Sequence, residues 1–222
     1  MLARIVCSAL CAGVIAGLLL SVLQWSATLP LLRQAEGYEA ASAVAGEARE
    51  EHAREWAPRQ GVERIGFTVL ANLVLAVAFA LLLNAAYALK GDVDWRRGLL
   101  WGLAGFAAFT LAPALGLPPA PPGVPEAALG ERQGWWLLAV LATAAGLATL
   151  AFAPRLHWRL LGLALLAAPH LIGAPEAPLA DAAPPEELRR AYALAVLATS
   201  AAFWLALGAL SGLFFRRFAQ QG

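Results

Sequence analysis

Five long uncharged runs dominate the pattern of polar and apolar positions along this chain. Each is longer than 20 residues and rich in Ala and Leu, whereas the charged residues cluster between the runs. About 20 apolar residues in a helix cross a hydrocarbon core of ~30 Å, so each run predicts one transmembrane helix. A single run would also fit a buried core helix, but five do not; they are residues 5–32, 65–89, 98–125, 133–154 and 191–215.

A sixth apolar stretch leaves the number of membrane crossings open. Its uncharged part, 160–175, has 16 residues and contains Pro169, so a helix there reaches only ~24 Å. It crosses if the helix begins at Leu156 and Arg159 extends its charge to the interface; otherwise residues 156–175 are re-entrant.

We predict an all-α, polytopic transmembrane helical bundle that forms a single membrane domain, 1–222, with six helices preferred over five. A polar, helical loop at 33–64 joins the first two helices. The predicted helices are about 5–29, 65–89, 98–117, 133–153, 156–172 and 191–215.

Composition agrees with a membrane protein and gives no sign of catalysis. The chain is 60% hydrophobic and 14% charged, against about 25% charged in soluble domains. Its net charge of +1 gives no reason to expect nucleic-acid binding. The sequence has no P-loop motif, no HExxH and no GxSxG. We therefore predict a protein that is not an enzyme and has no cofactor.

Basic residues in the short loops predict the orientation. With six crossings and the N-terminus inside, eight basic residues of the short loops face the cytoplasm and three face outward. With five crossings Arg189 and Arg190 exchange sides with Arg216 and Arg217, and the numbers stay the same. Since basic loops stay inside, the N-terminus is predicted to be cytoplasmic. The eight are Arg4, Lys90, Arg96, Arg97, Arg155, Arg159, Arg216 and Arg217, and the three are Arg132, Arg189 and Arg190.

Acidic residues concentrate on the opposite side in the six-helix topology. There, 13 of the 15 acidic residues face outward. A negative outer face would attract cations. The same distribution also follows if the basic loops are simply held inside, and the sequence leaves both explanations open.

Four side chains are candidates for contact with a transported metal ion. His170 follows Pro169 in the short apolar stretch, where an interrupted helix and an imidazole suit a cation; the alternative is a neutral histidine bonded to a carbonyl. Glu36 and Glu39 lie just beyond the first helix. His52 lies among glutamates at helical spacing, so it either shares a divalent cation with them or belongs to a solvated helix with local ion pairs.

Amides and glycines within the apolar runs predict how the helices pack. Gln24, Asn72 and Asn84 are expected to bond helix to helix, at ~1 kcal/mol each, or else to line a polar path. Glycine pairs such as Gly13 with Gly17 and Gly102 with Gly105 are expected to let helices approach closely.

Several segments, in order along the chain, resemble the CbtA family. Near the N-terminus they are GLLLSVLQ and PLLRQAEGYE. The longest is GLLWGLAGFAAFTLAPALGLPPAPPG at 98–123, followed by RQGWW at 132–136 and PHLIGAP at 169–175, and the last is FWLALGALSGLFFRR.

The resemblance implies the larger membrane subunit of a cobalt transporter in the bacterial cytoplasmic (inner) membrane. It implies Co²⁺ uptake for cobalamin synthesis, about five transmembrane segments, and a small one-helix CbtB-type subunit as partner. No ligand set comes with it. Among the positions that match the family motifs, only His170, Glu36 and Glu39 suit cobalt chemically. The alternative function is a non-transporting membrane scaffold that anchors a metal-handling complex.

Overall fold

A computed structural model describes residues 1–45, 58–59, 61–91, 93–178 and 184–220, and all regular structure within these ranges is helical. Two π-helical turns interrupt α-helices without breaking them, so the described ranges form six continuous helices. The elements are α1 (Leu2–Leu23), a π turn (Gln24–Thr28), α2 (Leu29–Ala45), α3 (Val62–Lys90), α4 (Trp95–Phe106), a π turn (Ala107–Leu111), α5 (Ala112–Gly116), α6 (Leu129–Phe152), α7 (Leu156–Ile172) and α8 (Glu186–Ala219).

Five of these continuous helices are long and apolar enough to cross a membrane. They include each of the five spans that the uncharged runs predict, and the predicted polytopic helical bundle is thus confirmed. The remaining helix, α7, is a shorter apolar helix of 17 residues. Its bounds coincide with the predicted 156–172.

The first helix continues far beyond residue 29, where the sequence predicted that it ends. Pro30 lacks an N–H, and in an α-helix its ring clashes with the carbonyl four residues earlier. Here Leu29 donates instead to the carbonyl of Gln24, five residues back, in the wider turn of a π-helix. Pro113 follows the second π turn at the same distance. The widened turns accommodate both prolines, and the first helix runs on to Ala45.

The helices alternate in direction, which gives the bundle two defined ends. At the Arg4 end, Arg4 Nε donates to the carbonyl of Phe215 at 2.8 Å, and Lys90 Nζ lies 3.4 Å from the centre of the Phe152 ring. The first and last helices are therefore antiparallel neighbours. The opposite end, called the Glu36 end, is where Glu36 of α2 meets Arg64 of α3.

Basic residues gather at the Arg4 end. Asp94 caps α4 there by accepting a hydrogen bond from the backbone N–H of Arg97 at 2.9 Å. That bond, together with the charges of Arg97, Arg216 and Arg96, lowers the pKa of Asp94. The link from α6 to α7, with Arg155, follows Phe152 at the same end.

Glycines bring α4 and α8 into backbone contact, as expected for Gly102. A Cβ atom built on Gly98 would lie 2.2 Å from the carbonyl oxygen of Gly208, and one on Gly102 would lie 2.2 Å from that of Trp204. A Cβ atom built on Gly105 would lie 2.3 Å from the Trp204 ring. The predicted role of Gly13 and Gly17 is also confirmed, since both face the backbone of α3 at Val77 and Leu73.

The short helix α7 lies antiparallel to α6 and reaches from one end of the bundle to the other. Gly146 and Gly162 face each other across the pair. Near the Glu36 end, Trp135 Nε1 donates to the carbonyl of Pro169 at 3.3 Å. Trp135 in turn contacts Gly116, the last residue of α5.

Candidate ion-binding site

Three polar side chains join α1, its π turn and α3 within the bundle. Asn72 Nδ2 donates to Gln24 Oε1 at 2.7 Å and to Ser21 Oγ at 3.1 Å. Ser21 Oγ in turn donates to the carbonyl of Gly17 at 2.9 Å. The expected helix-to-helix bond is thus confirmed for Gln24 and Asn72.

Asn84 does not behave as expected. Its Nδ2 donates to the carbonyl of Ala80 in its own helix at 2.7 Å. Its Oδ1 is buried and accepts no hydrogen bond from the described residues.

A partly open cavity of about 340 Å³ lies next to Gln24, between α1, the first π turn, α2, α3 and α8. More of its surface is apolar than polar, and it is called the polar cavity for the hydroxyl, amide and guanidinium side chains among its lining residues. Thr28 Oγ1 is buried and forms no hydrogen bond within the described part of the chain. The polar lining residues are Ser21, Gln24, Thr28, Arg33, Arg64, Thr68, Tyr192, Thr199 and Ser200.

The first π turn shapes this cavity. Gln24, Trp25 and Thr28 all belong to the turn and all line the cavity. A π turn places successive side chains at angles that a regular α-helix does not, and such turns are frequent at functional sites. Two of the polar lining residues, Gln24 and Thr28, therefore belong to the same local distortion that accommodates Pro30.

An ion pair joins α2 to α3 beside the polar cavity. Both guanidinium nitrogens of Arg64 contact the Glu36 carboxylate: Nη1 lies 3.3 Å from Oε2, and Nη2 contacts Oε1. Each side chain is about three-tenths exposed. Arg64 lines the cavity, whereas Glu36 lies one helical turn beyond Leu32, another lining residue. Arg33, also in the lining, is exposed on the same helix.

The other candidates from the sequence lie apart from this ion pair. Glu39 is exposed on α2, one turn beyond Glu36. His170 is exposed at the end of α7, with its ring centre 6.1 Å from that of Trp135 in an edge-to-face arrangement. His52 lies outside the described residues. Glu36, Glu39 and His170 share the Glu36 end of the bundle.

The described residues contain no cluster of three or more His, Cys, Asp or Glu side chains with the spacing of a metal site. The four candidates therefore remain predictions as metal-binding residues. Sequence reasoning missed Arg64 as the partner of Glu36, and it missed the hydroxyl groups of α8. The amides at Gln24 and Asn72 were the available signal, because both lie in otherwise apolar runs; Gln24 lines the polar cavity, and Asn72 donates to Gln24.

A second cavity, of about 620 Å³, lies between the proline-rich link after α5, the start of α6 and α8. Tyr192 and Val196 line both cavities, so one face of α8 separates them. Pro175, a few residues after His170, also lines the second cavity. His170 itself lines neither.

Replacing Asn72 with Ala is expected to lower the free energy of unfolding by about 1 kcal/mol. The change removes the donor to Gln24 and Ser21, and hydrogen bonds between membrane helices contribute roughly 0.6–1.7 kcal/mol. Thermal unfolding of the purified protein in detergent measures the effect. Thr68→Val is a matched control, because the Thr68 hydroxyl donates only to Arg64 of its own helix; an equal loss there would contradict the interhelical explanation.

The chain matches the family described as "Probable cobalt transporter subunit (CbtA)" over residues 2–216, nearly its full length. No curated protein and no solved structure matches it.

Proposed function

The chain belongs to the CbtA family of probable cobalt transporter subunits, and we propose that it takes up Co²⁺ for cobalamin synthesis across the bacterial cytoplasmic membrane. The family match over residues 2–216 carries this proposal. A subunit requires a partner, and we propose a small one-helix protein of the CbtB type. The helical membrane bundle is the expected architecture for such a subunit.

We also propose six membrane crossings, with the N-terminus in the cytoplasm. The contact between Arg4 and Phe215 supports an even number of crossings, because it brings the start of α1 and the end of α8 together. The accumulation of basic residues at the Arg4 end supports a cytoplasmic location for that end. The α7 helix would be the short sixth crossing, with Arg159 extending to the interface.

In this orientation the Glu36 end faces outward and receives the ion. Glu36, Glu39 and His170 all lie there, and His52 follows α2 in the sequence. Carboxylates would gather the hydrated cation, and an imidazole is a suitable ligand for Co²⁺. A membrane potential of 100 mV, negative inside, would favour the entry of two positive charges by ~4.6 kcal/mol.

Cobalt uptake by intact cells tests the function. Cells without another cobalt uptake system, given this chain with its partner, should accumulate radioactive Co²⁺ above the level of cells with an empty vector. Unchanged accumulation with both proteins present in the membrane would contradict transport. That result would favour the alternative, a membrane scaffold for a metal-handling complex.

Labelling of introduced cysteines tests the six crossings. In a background with Cys7 and Cys11 replaced by Ala, Ala177→Cys should react with an impermeant maleimide added outside the cell. Ala219→Cys should react only after the membrane is opened, because α8 would cross the membrane between the two positions. Both positions are exposed, so each cysteine would be accessible from its own side. Five crossings with a re-entrant α7 predict the reverse pattern.

A further inference from the structure

The polar cavity combines positive charge with apolar surface. Arg33 and Arg64 are its charged lining residues, and no carboxylate is among the described residues that line it. Several of its polar side chains are already engaged. Ser21 and Thr199 donate to backbone carbonyls, and the amide oxygen of Gln24 accepts from Asn72. A ligand that fits these walls is therefore an anion with an apolar part.

The two guanidinium groups lie at the level where the membrane-spanning part of the bundle ends. Arg33 directly follows the uncharged run 5–32, and Arg64 directly precedes the run 65–89. Since such runs match the hydrocarbon core of a bilayer, both side chains belong to the layer of lipid headgroups. The cavity extends from there into the span, because Ser21, also in the lining, lies roughly three helical turns before Arg33.

The charged groups at this level leave an excess of positive charge. Arg33 precedes Glu36 by about one turn of α2, and Glu36 pairs with Arg64 of α3. Arg33 itself is exposed and forms no ion pair with another described residue. A phosphodiester, with a single negative charge, would balance the second guanidinium. Arg is well suited to this role, because its N–H groups bind phosphate oxygens in pairs.

An apolar wall leads from the guanidinium groups to the surface that lipid covers. Trp25 lines the cavity and is more than half exposed. It lies within the uncharged run 5–32, where an exposed side chain contacts lipid, so a bilayer lipid reaches the cavity from the side. The volume of about 340 Å³ is in the range of small-molecule sites. The apolar wall consists of Trp25, Leu29, Leu32, Ile65, Val69 and Val196.

We propose that the polar cavity binds one anionic phospholipid of the bilayer. The phosphodiester lies between Arg33 and Arg64, and part of an acyl chain lies along the apolar wall. Glu36 positions Arg64 for this contact. The bound lipid connects α2, α3 and α8 at the Glu36 end, and no covalent bond changes when it binds. This role goes beyond cobalt uptake and does not depend on it.

Phosphatidylglycerol and phosphatidylcholine with the same acyl chains separate the effect of charge from that of apolar contact, because only the first carries a net negative charge. The wild-type chain should bind phosphatidylglycerol about fivefold more tightly, the contribution of one basic side chain beside an anionic lipid. Arg33→Gln removes the excess charge and should bind both lipids equally. Arg33→Lys keeps the charge and should retain most of the preference.

Native mass spectrometry of the purified full chain in detergent measures these affinities, because each bound lipid adds its own mass to the protein. Arg190→Gln is the matched control: Arg190 pairs with Glu186 at the same end and lines neither cavity, so the preference should remain. Glycerophosphoglycerol, the deacylated headgroup, should compete at least tenfold more weakly than the intact lipid, because it has no chain to contact the apolar wall. Thermal unfolding without added lipid shows whether each variant is folded.

Three results would overturn the lipid site. Equal affinity of the wild-type chain for the two lipids would reduce binding to ordinary lipid contact. A preference that persists in Arg33→Gln, or is lost to the same extent in Arg190→Gln, would remove the assignment to Arg33. Competition by the deacylated headgroup at the strength of the intact lipid would assign the arginines to a free phosphodiester. Cobalt uptake enters none of these measurements, so the lipid site and the proposed function stand or fail separately.

Discussion

Gly98→Ala should destabilise the folded protein by about 1–3 kcal/mol, the usual cost of forcing extra atoms into a packed interior. The added Cβ would lie 2.2 Å from the carbonyl oxygen of Gly208 and 3.3 Å from Gly212 Cα. Backbone atoms cannot move aside as a flexible side chain does, so α4 and α8 must separate. Their separation would also loosen the packing of Trp204, which contacts Phe79, Phe109 and Phe203.

The control for Gly98→Ala is Gly134→Ala in α6. A Cβ at Gly134 meets no atom within 4 Å, and Ala is favoured over Gly in a helix by up to about 1 kcal/mol. This variant should therefore unfold at the wild-type temperature or slightly above it in detergent. If Gly98→Ala unfolds at the wild-type temperature as well, the close contact of α4 with α8 is wrong.

The membrane-spanning helices follow from the sequence because their signal is local. Lipid requires that a helix satisfy its own backbone hydrogen bonds over a fixed thickness, so a long uncharged run is sufficient to predict one. The end of α7 at Ile172 is similarly local, since Gly173 follows with a φ of +89°. Left-handed backbone of this kind favours glycine and ends a helix.

The continuation of the first helix to Ala45 was not predicted, because two local signals point the other way. Pro30 ordinarily interrupts a helix, and the charges from Arg33 onward suggest a loop. The π turn removes the clash, and sequence patterns with a period of 3.6 residues do not detect one widened turn. Similar spacing of Pro30 and Pro113 from their π turns is recognisable only once the structure is known.

The polar cavity depends on contacts between residues far apart in the chain. Gln24 and Asn72 were recognisable individually as amides in apolar runs, but their pairing requires the antiparallel contact of α1 with α3. Glu36 was recognisable as an acid at the membrane edge. Arg64, 28 residues away, forms an ion pair with the Glu36 carboxylate. The carboxylate is therefore a paired group and not a free ligand, and no local sequence pattern indicates this pairing.

His170→Ala should lower cobalt uptake by at least tenfold in cells that carry the chain and its partner. The imidazole is exposed in the last turn of α7 at the Glu36 end, where Gly173 ends the helix, and a neutral imidazole is a common ligand for transition metals. Loss of a group that supports a metal site typically costs 10–100-fold. The Pro169 carbonyl already accepts a hydrogen bond from Trp135, so the backbone there stays anchored when the side chain is shortened.

His157→Ala is the matched control, because it changes the same residue type in the same helix at the opposite end of the bundle. His157 is also exposed, and its ring lies 5.5 Å from that of Trp158, so both substitutions remove an imidazole beside an indole. Uptake should be preserved in this variant. An equal loss in both variants would indicate that α7 needs its histidines for folding or membrane anchoring. Full uptake with His170→Ala would exclude the imidazole from the ion path and leave the carboxylates of α2 as the candidates for capture.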